Sequence, residues 1–405
     1  MKIGVIKETK NPPDKRVPLS PEKCALLKKT FPEVELVVQS SDIRAFKDQE
    51  YTELGIEIVT DVSDCDILLG VKEVKKDSLL PNKTYFFFSH TIKEQPYNRD
   101  LLQKLLDLNI KMVDYETLTY PGKGRILGFG RYAGIVGAYN AFLAYGLKNN
   151  AFKLKPANQC HDYVELKNEL KKVKLPNDYK IIISGDGRVG KGAEEIIHAI
   201  GILEVSPADF LTSSKNEPVY TQLSVHEYNK RKDGKSFTKS DFYTNPELFE
   251  SNFKPYSQIG DMYIACHYWD ADAPFIFSRV DAKSPEFNLK IVADISCDID
   301  GPVASTIRPS TIDEPLYGYD PKTEKEIDFM DENAIGVMAV DNLPCELPRD
   351  ASEDFGNELL TKVLPSLIGE DSDTIIERAS ICENGKLTSY FSYLQDYVDG
   401  KNYKN

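Results

Sequence analysis

Ile181-Ile182-Ile183-Ser184-Gly185-Asp186-Gly187-Arg188-Val189-Gly190-Lys191-Gly192-Ala193 is the stretch whose reading decides the fold. Three β-branched residues in a row read as a buried strand. The run breaks into G-x-G-x-x-G, and Ala193, Ile196, Ile197 and Ile200 then recur at helical spacing. Strand, turn and helix in that order form a phosphate-binding unit. Gly185 permits the tight turn, Gly187 lets a pyrophosphate approach the backbone, and Gly190 lets the helix pack close on its strand. The helix N-terminus adds free N–H groups and partial positive charge. Gly185, Gly187, Arg188, Val189 and Gly190 are therefore the candidate cofactor-binding residues of the turn.

Downstream, about twenty residues past Gly187, a dinucleotide fold carries an acid that holds a ribose. Here the sequence reads Leu203-Glu204-Val205-Ser206, and Ser206 takes the expected strand-end position. Neither a plain carboxylate nor an arginine stands there, so NAD and NADP both remain open. Thr212–Ser257 is long, polar and poor in periodicity, and reads as a surface excursion. Strand-like runs resume at Met262–His267, Leu289–Asp298 and Gly336–Asn342, each ending in polar residues. His267 reads as a hydrogen-bonded neighbour of the cofactor and Asp341 as a cofactor contact. Asp298 either orients a substrate amine or caps a turn.

Upstream, the chain opens on a strand-like Lys2–Ile6. Then comes Arg16-Val17-Pro18-Leu19-Ser20-Pro21, where Ser20 as N-cap and Pro21 at the first helical position start a helix that carries Leu26 and Leu27 inward. Val34–Val38, Ile56–Val59, Ile67–Val71, Thr84–Phe88 and Lys111–Asp114 continue a βαβ rhythm. Lys72 and His90 follow two consecutive strand-like runs, where parallel sheets place their ligand crevices. Ile135–Leu147 reads as a connecting helix whose small residues suit close packing between two domains. The closing segments Ala351–Ile368, Ile375–Cys382 and Tyr390–Tyr397 read as helices folding back onto the first domain.

The bulk properties agree with a globular α/β protein of two domains. Of 405 residues, 41% are hydrophobic and 28% charged, and the net charge of −14 argues against nucleic acid or an anionic membrane as a general partner. The seven cysteines are scattered, with no C-x-x-C pair, and read as reduced thiols. No apolar run is long enough to span a bilayer and no leader precedes the first strand, so the expected location is cytoplasmic. The five histidines show no metal-ligand spacing, and no metal is expected.

Taken together, the motifs resemble a known family. Arg16–Pro21, Gly70-Val71-Lys72-Glu73, Phe88-Ser89-His90, Asp114-Tyr115-Glu116, Phe129–Gly134, the glycine turn, Ala293–Asp298 and Val340–Ala351 are similar to the saccharopine dehydrogenases (L-lysine-forming) and lysine–ketoglutarate reductases within the alanine dehydrogenase superfamily. The sequence departs from that pattern at Arg131, where relatives carry an aromatic or amide residue. The resemblance implies two Rossmann-like domains with parallel sheets and an interdomain cleft. Residues 1–130 plus 345–405 would form a discontinuous substrate domain, and 131–344 the dinucleotide domain.

The resemblance further implies an oxidoreductase that interconverts saccharopine with lysine plus 2-oxoglutarate, using NAD or NADP. Lys72 and His90 match the acid–base pair, and Arg16 and Arg125 match arginines that hold substrate carboxylates. Asp14 and Glu116 match acidic neighbours of the site, and Phe129 lies on its hinge side. The partners implied are amino-acid and keto-acid substrates, and the chain would be a monomer or small homo-oligomer. An alanine dehydrogenase and a non-catalytic dinucleotide-binding sensor are the alternative readings.

Overall fold

The computed structural model describes residues 1–122, 124–212 and 216–401. Residues 213–215 of the polar stretch and 402–405 of the expected first domain lie outside the described residues. The chain divides into two compact units, residues 1–129 with 348–405, and residues 130–347. The first stretch carries strands β1 (Lys2–Val5), β2 (Glu35–Gln39), β3 (Glu57–Val59), β4 (Ile67–Leu69), β5 (Thr84–Phe87) and β6 (Lys111–Asp114). The second unit carries β7 (Lys180–Ser184), β8 (Leu203–Glu204), β9 (Val219–Leu223), β10 (Asn229–Arg231), β11 (Phe249–Ser251), β12 (Met262–Ala265), β13 (Ile291–Asp294), β14 (Leu316–Asp320), β15 (Lys325–Ile327) and β16 (Ile335–Met338). On returning to the first unit the chain adds β17 (Ser380–Glu383) and β18 (Lys386–Leu387).

The first unit's sheet runs β18-β17-β6-β5-β4-β1-β2-β3, parallel from β6 to β3. Apolar residues cover both faces, as a parallel sheet between helices requires. Ile67 and Leu69 of β4 enter one buried cluster while Leu68, pointing the other way, enters a second. Ser20 caps the helix Pro21–Thr30 by accepting from Lys23 N, with Pro21 at its first position. Of the two leucines expected inward, Leu27 is buried and Leu26 is exposed. Cys24 and Leu27, three apart, define the inner face, and Leu26 falls 100° off it.

The C-terminal segment corrects a second expectation. Ile375–Ala379 is helical, but Ser380–Glu383 is a strand that pairs antiparallel with β6. The sheet would otherwise leave the buried edge of β6 unpaired, and that pairing outweighs the helical pattern of the preceding turn.

The second unit's sheet runs β15-β14-β16-β13-β12-β7-β9-β8, parallel except for the β14/β15 hairpin at one edge. Thr212–Ser257 is no surface excursion. It supplies β9, which lies directly beside β7 with Ser184 opposite Leu223, and its Tyr228, Phe242, Phe249, Phe253 and Tyr256 are buried in the unit's core. The β10/β11 hairpin belongs to the same stretch. β9 reads Val219-Tyr220-Thr221-Gln222-Leu223, and with polar Thr221 and Gln222 inside it neither an unbroken apolar run nor strict alternation marks it as a strand.

The helix Gly130–Lys148 is likewise part of this unit. A Cβ on Gly134 would lie 1.9 Å from Val189 O, and one on Gly192 2.0 Å from Arg131 O. Its small residues therefore serve contact with the helix Arg188–Ile200 inside one unit, a correction to the interdomain packing expected of them. All seven cysteines are free. Among the described residues no helix is long and apolar enough to cross a membrane.

Candidate functional site

In the first unit the order β6-β5-β4-β1 sets four parallel C-terminal ends side by side. Each end feeds a polar turn, so residues far apart in sequence arrive at one edge: Glu8, Asp14 and Arg16 after β1, Lys72 and Glu73 after β4, His90 after β5, Glu116 after β6. This is where open α/β sheets bind ligands.

Glu73 joins these residues. Its Oε1 lies 2.6 Å from His90 Nδ1 and its Oε2 2.8 Å from Lys10 Nζ. A carboxylate accepting from Nδ1–H fixes the imidazole and leaves Nε2 to take or give a proton. Glu73 is itself drawn down to about 2: burial would raise it, and the bonds to His90 and Lys10 overcome that. His90 adopts left-handed backbone, φ 55°, which turns the chain at the strand end. The turn is tied down from below, where buried Asp114 accepts from Ser89 N at 2.9 Å and from Glu116 N at 2.7 Å.

Lys72 is positioned from beneath as well. Glu8 accepts from Val71 N at 2.7 Å and Lys72 N at 2.9 Å. Burial pulls the Lys72 ammonium below its ordinary range, the Arg16 cation adds to that, and Asp14 opposes it. An amine so shifted exchanges protons more readily near neutral pH.

Arg16 and Asp14 form a buried pair, with Nε and Nη2 of Arg16 at 3.0 and 2.6 Å from the Asp14 oxygens. The guanidinium lies 4.1 Å above the Phe129 ring, and Phe129 stacks on Phe355 at 4.5 Å. Arg125 Nη2 donates to Glu116 Oε1 at 2.9 Å, while Glu116 Oε2 is buried without a hydrogen-bond partner. All seven first-unit candidates thus sit on this one edge or its immediate support.

In the second unit the three glycines do different things. Gly185 has φ +93°, and a Cβ there would strike Cys266 O at 2.6 Å. A Cβ on Gly190 would lie 2.1 Å from Gly185 O. Gly187 caps the helix Arg188–Ile200 and faces open space, with nothing within 4 Å of an added Cβ. The turn thus offers its backbone at one point and is closed at the other two.

A cavity of about 420 Å³ lies against it, lined by Gly185, Gly187, Arg188, Val189, His267 and Asp298. The 212–257 stretch adds Val225, Tyr228, Lys239 and Tyr243 to the walls, and Lys239 pairs with Asp186. His267 Nε2 is buried without a partner. An open glycine, a helix N-terminus and an orphaned buried nitrogen on one cavity fit a phosphate-bearing dinucleotide.

Two expected contacts fall elsewhere. Ser206 follows β8, the edge strand, and β9 stands between that strand and β7. Its Oγ accepts from Asp209 N at 3.1 Å, capping a short helix. The strand beside the turn ends at Leu223, whose carbonyl accepts from Gly185 N at 2.8 Å. The position about twenty residues past Gly187 thus lies beyond the edge strand and not on the strand that borders the turn. Asp341 stands exposed past β16, which β13 separates from β12, and is not among the residues lining the cavity.

The fold also brings His198 together with Glu194 and Glu204, their ligand atoms within 4.8 Å of one another, which the spacing of the histidines did not disclose. His198 Nε2 lies 2.7 Å from the Tyr220 hydroxyl.

Residues 4–136 match the family of alanine dehydrogenase/PNT N-terminal domains. An alpha-aminoadipic semialdehyde synthase of Arabidopsis thaliana is 30% identical over 442 residues, covering 97% of this chain and 41% of that protein. The chain thus spans less than half the length of that relative. A saccharopine dehydrogenase [NAD(+), L-lysine-forming] of Schizosaccharomyces pombe is 26% identical over 373 residues, 88% of this chain and 90% of that one. Among solved structures an L-alanine dehydrogenase covers 99% of both chains with a TM-score of 0.64 at 17% identity, a likeness of fold. Residues 4–136 thus carry an alanine dehydrogenase/PNT N-terminal domain, and over nearly its whole length the chain is similar to alpha-aminoadipic semialdehyde synthases and saccharopine dehydrogenases.

Proposed function

We propose that this chain is an oxidoreductase acting on a CH–NH bond, interconverting saccharopine with L-lysine and 2-oxoglutarate with the help of a nicotinamide dinucleotide. The observation that carries the reading is the convergence of Lys72, the Glu73–His90 pair and the Arg16–Asp14 pair on one sheet edge. Saccharopine has three carboxylates and a secondary amine. Arginines at loop ends suit the carboxylates, because a guanidinium binds them through two parallel bonds. Arg16 and Arg125 take that part here.

The dinucleotide would be held at Gly187, Arg188 and Val189, with His267 beside it, and would supply or accept the hydride. The chain's own residues move protons. Condensation of the lysine amine with the keto acid passes through a carbinolamine that must lose water. His90 Nε2, its ring oriented by Glu73, and Lys72, its ammonium weakened by burial, are the two groups placed to exchange those protons. Such acid–base help is worth about 10²–10⁴ in rate. Glu116 Oε2, buried and unpartnered, is placed to accept from a substrate amine.

The test follows reduced-nicotinamide absorbance with purified protein, offered lysine plus 2-oxoglutarate or pyruvate plus ammonia, each with NADH and with NADPH. Oxidation with the first pair alone supports the proposal and fixes the cofactor. Oxidation with the second pair alone makes the chain an alanine dehydrogenase, and cofactor binding without turnover makes it a sensor.

A further inference from the structure

His267, Ser184 and Tyr263 form a buried hydrogen-bonded chain behind the glycine turn. Ser184 Oγ lies 2.7 Å from the Tyr263 hydroxyl and 2.9 Å from His267 Nδ1. Ser184 and Tyr263 are wholly buried, and His267 is 5% exposed. The Tyr263 hydroxyl also lies 3.4 Å from Nδ1, so the three groups close a triangle in which each hydroxyl owns one proton. If Tyr263 donates to Ser184 and Ser184 to Nδ1, every hydroxyl proton is used and the imidazole carries its own proton on Nε2. If Nδ1 carries the proton it can only donate, and one of the two hydroxyl protons is then left with no acceptor among the three groups. A buried donor left unmade is the costlier arrangement.

We infer that Tyr263 and Ser184 are positioning residues that hold His267 as the neutral Nε2–H tautomer, presenting a fixed hydrogen-bond donor to the bound dinucleotide. The Nε2 atom is the one buried without a partner, and His267 lines the cavity together with Gly185, Gly187 and Arg188. A donor on a lining residue that has no acceptor within the protein is satisfied by a ligand with oxygen lone pairs, and a dinucleotide's ribose and phosphate groups are rich in them. The charge state agrees: burial draws the imidazole down to about 4, so the ring stays neutral at physiological pH. Directional hydrogen bonding, not added positive charge, is then what His267 contributes, and Arg188 is the cation among the lining residues at the helix start.

The inference rests on the dinucleotide reading of the cavity, and the experiment separates the two. The full chain with ¹⁵N-labelled histidine is examined by two-bond ¹H–¹⁵N correlation, first alone and then with NADH or NADPH. The expected result is a neutral His267 protonated on Nε2 before any addition, with the Nε2 proton shifting when the dinucleotide binds. In Tyr263→Phe and Ser184→Ala the tautomers mix and dinucleotide affinity, read by nicotinamide fluorescence, falls roughly three- to tenfold, the worth of one neutral hydrogen bond. A proton on Nδ1 in the free wild-type protein overturns the inference whatever the cavity binds. The Nε2–H tautomer with no dinucleotide binding overturns the dinucleotide reading and the donor's role with it. Binding that neither moves the Nε2 proton nor weakens in Tyr263→Phe leaves His267 a packing residue and refutes the proposal. The wild-type spectra need no variant to fold.

Discussion

Asp14→Asn removes one charge from the first unit's site and keeps its shape. Arg16 and Asp14 are 3% and 2% exposed, and the carboxylate accepts three bonds, from Arg16 N at 3.0 Å, Nε at 3.0 Å and Nη2 at 2.6 Å. Burial by itself would raise this carboxyl; the Arg16 charge and hydrogen bonds instead hold it at about 2, against 3.8 ordinarily. At about 1.4 kcal/mol for each tenfold, that gap corresponds to roughly 2 kcal/mol of stabilisation at neutral pH. Breaking a buried pair from one side typically costs about 3–5 kcal/mol, because the other charge stays behind. Asparagine keeps one acceptor oxygen, so the expected loss lies at about 2–4 kcal/mol. The sign with pH is fixed by the depressed carboxyl: its contribution is complete above the unfolded value near 3.8 and disappears as pH falls towards 2. Urea titrations of wild type and variant at neutral pH and again near pH 3 measure it. A difference under about 0.5 kcal/mol at neutral pH, the range of an ordinary surface change, would refute the argument, as would a difference that grows on acidification.

Other substitutions test the remaining sites. Gly187→Ala, with φ −82° and open space around its Cβ, should leave thermal stability unchanged yet weaken dinucleotide binding by about tenfold or more, whereas Gly190→Ala, whose Cβ would lie 2.1 Å from Gly185 O, should destabilise the turn itself; calorimetry and nicotinamide fluorescence on the same samples separate the two. Lys72→Met and His90→Gln should each lower turnover by about 10²–10⁴ while dinucleotide affinity holds, and retained turnover removes them from the chemistry. Glu73→Gln, which frees His90 Nδ1 from its carboxylate, should lower turnover less than His90→Gln does; an equal or greater loss would mean that Glu73 acts by more than orienting the ring. Glu346 is 3% exposed, and burial pushes its carboxyl up to about 8, so the folded state keeps a proton that the unfolded chain releases above about 4.5. Wild-type stability therefore falls as pH rises between those values, and Glu346→Gln should flatten that fall, with melting temperatures at pH 5 and 8 differing by about 2–4 °C less for each kcal/mol removed.

The parts of this molecule that could be read from sequence are those whose physics is local. The glycine turn declares itself because a positive φ at Gly185 and a near-contact at Gly190 exclude a side chain, with an open face at Gly187 between them, all within six residues of chain. Lys72 and His90 are visible because parallel strands are short apolar runs, and the residues just past each run must lie at one edge of the sheet. Pairing across the sheet is not local, and the expectations at Ser206, Thr212–Ser257 and Ser380–Glu383 missed for that cause. Ser206 lies where a dinucleotide fold counts to its second strand, but here the second strand in sequence, β8, pairs outside β9, and β9 takes the place next to β7. Two-residue β8 and the polar Thr221 and Gln222 of β9 carry little pattern of their own, so only the hydrogen-bond ladder shows which strand borders the turn.

The same reasoning explains why the supporting residues were hidden while the residues they support were not. Glu73 is next to Lys72 in sequence, but its importance comes from a bond to His90 seventeen positions away. Ser184 ends a strand as any small residue might, and only the parallel register that sets it opposite Ala265 brings Tyr263 and His267 within reach of its hydroxyl. A reacting or binding group must be exposed at a strand end, and that position leaves a mark in sequence. The group that orients it need only lie within hydrogen-bond distance, from whichever strand the sheet order makes adjacent. Register is what selects those partners, so in this fold the candidate acid–base pair can be located from one dimension and its orientation only from three.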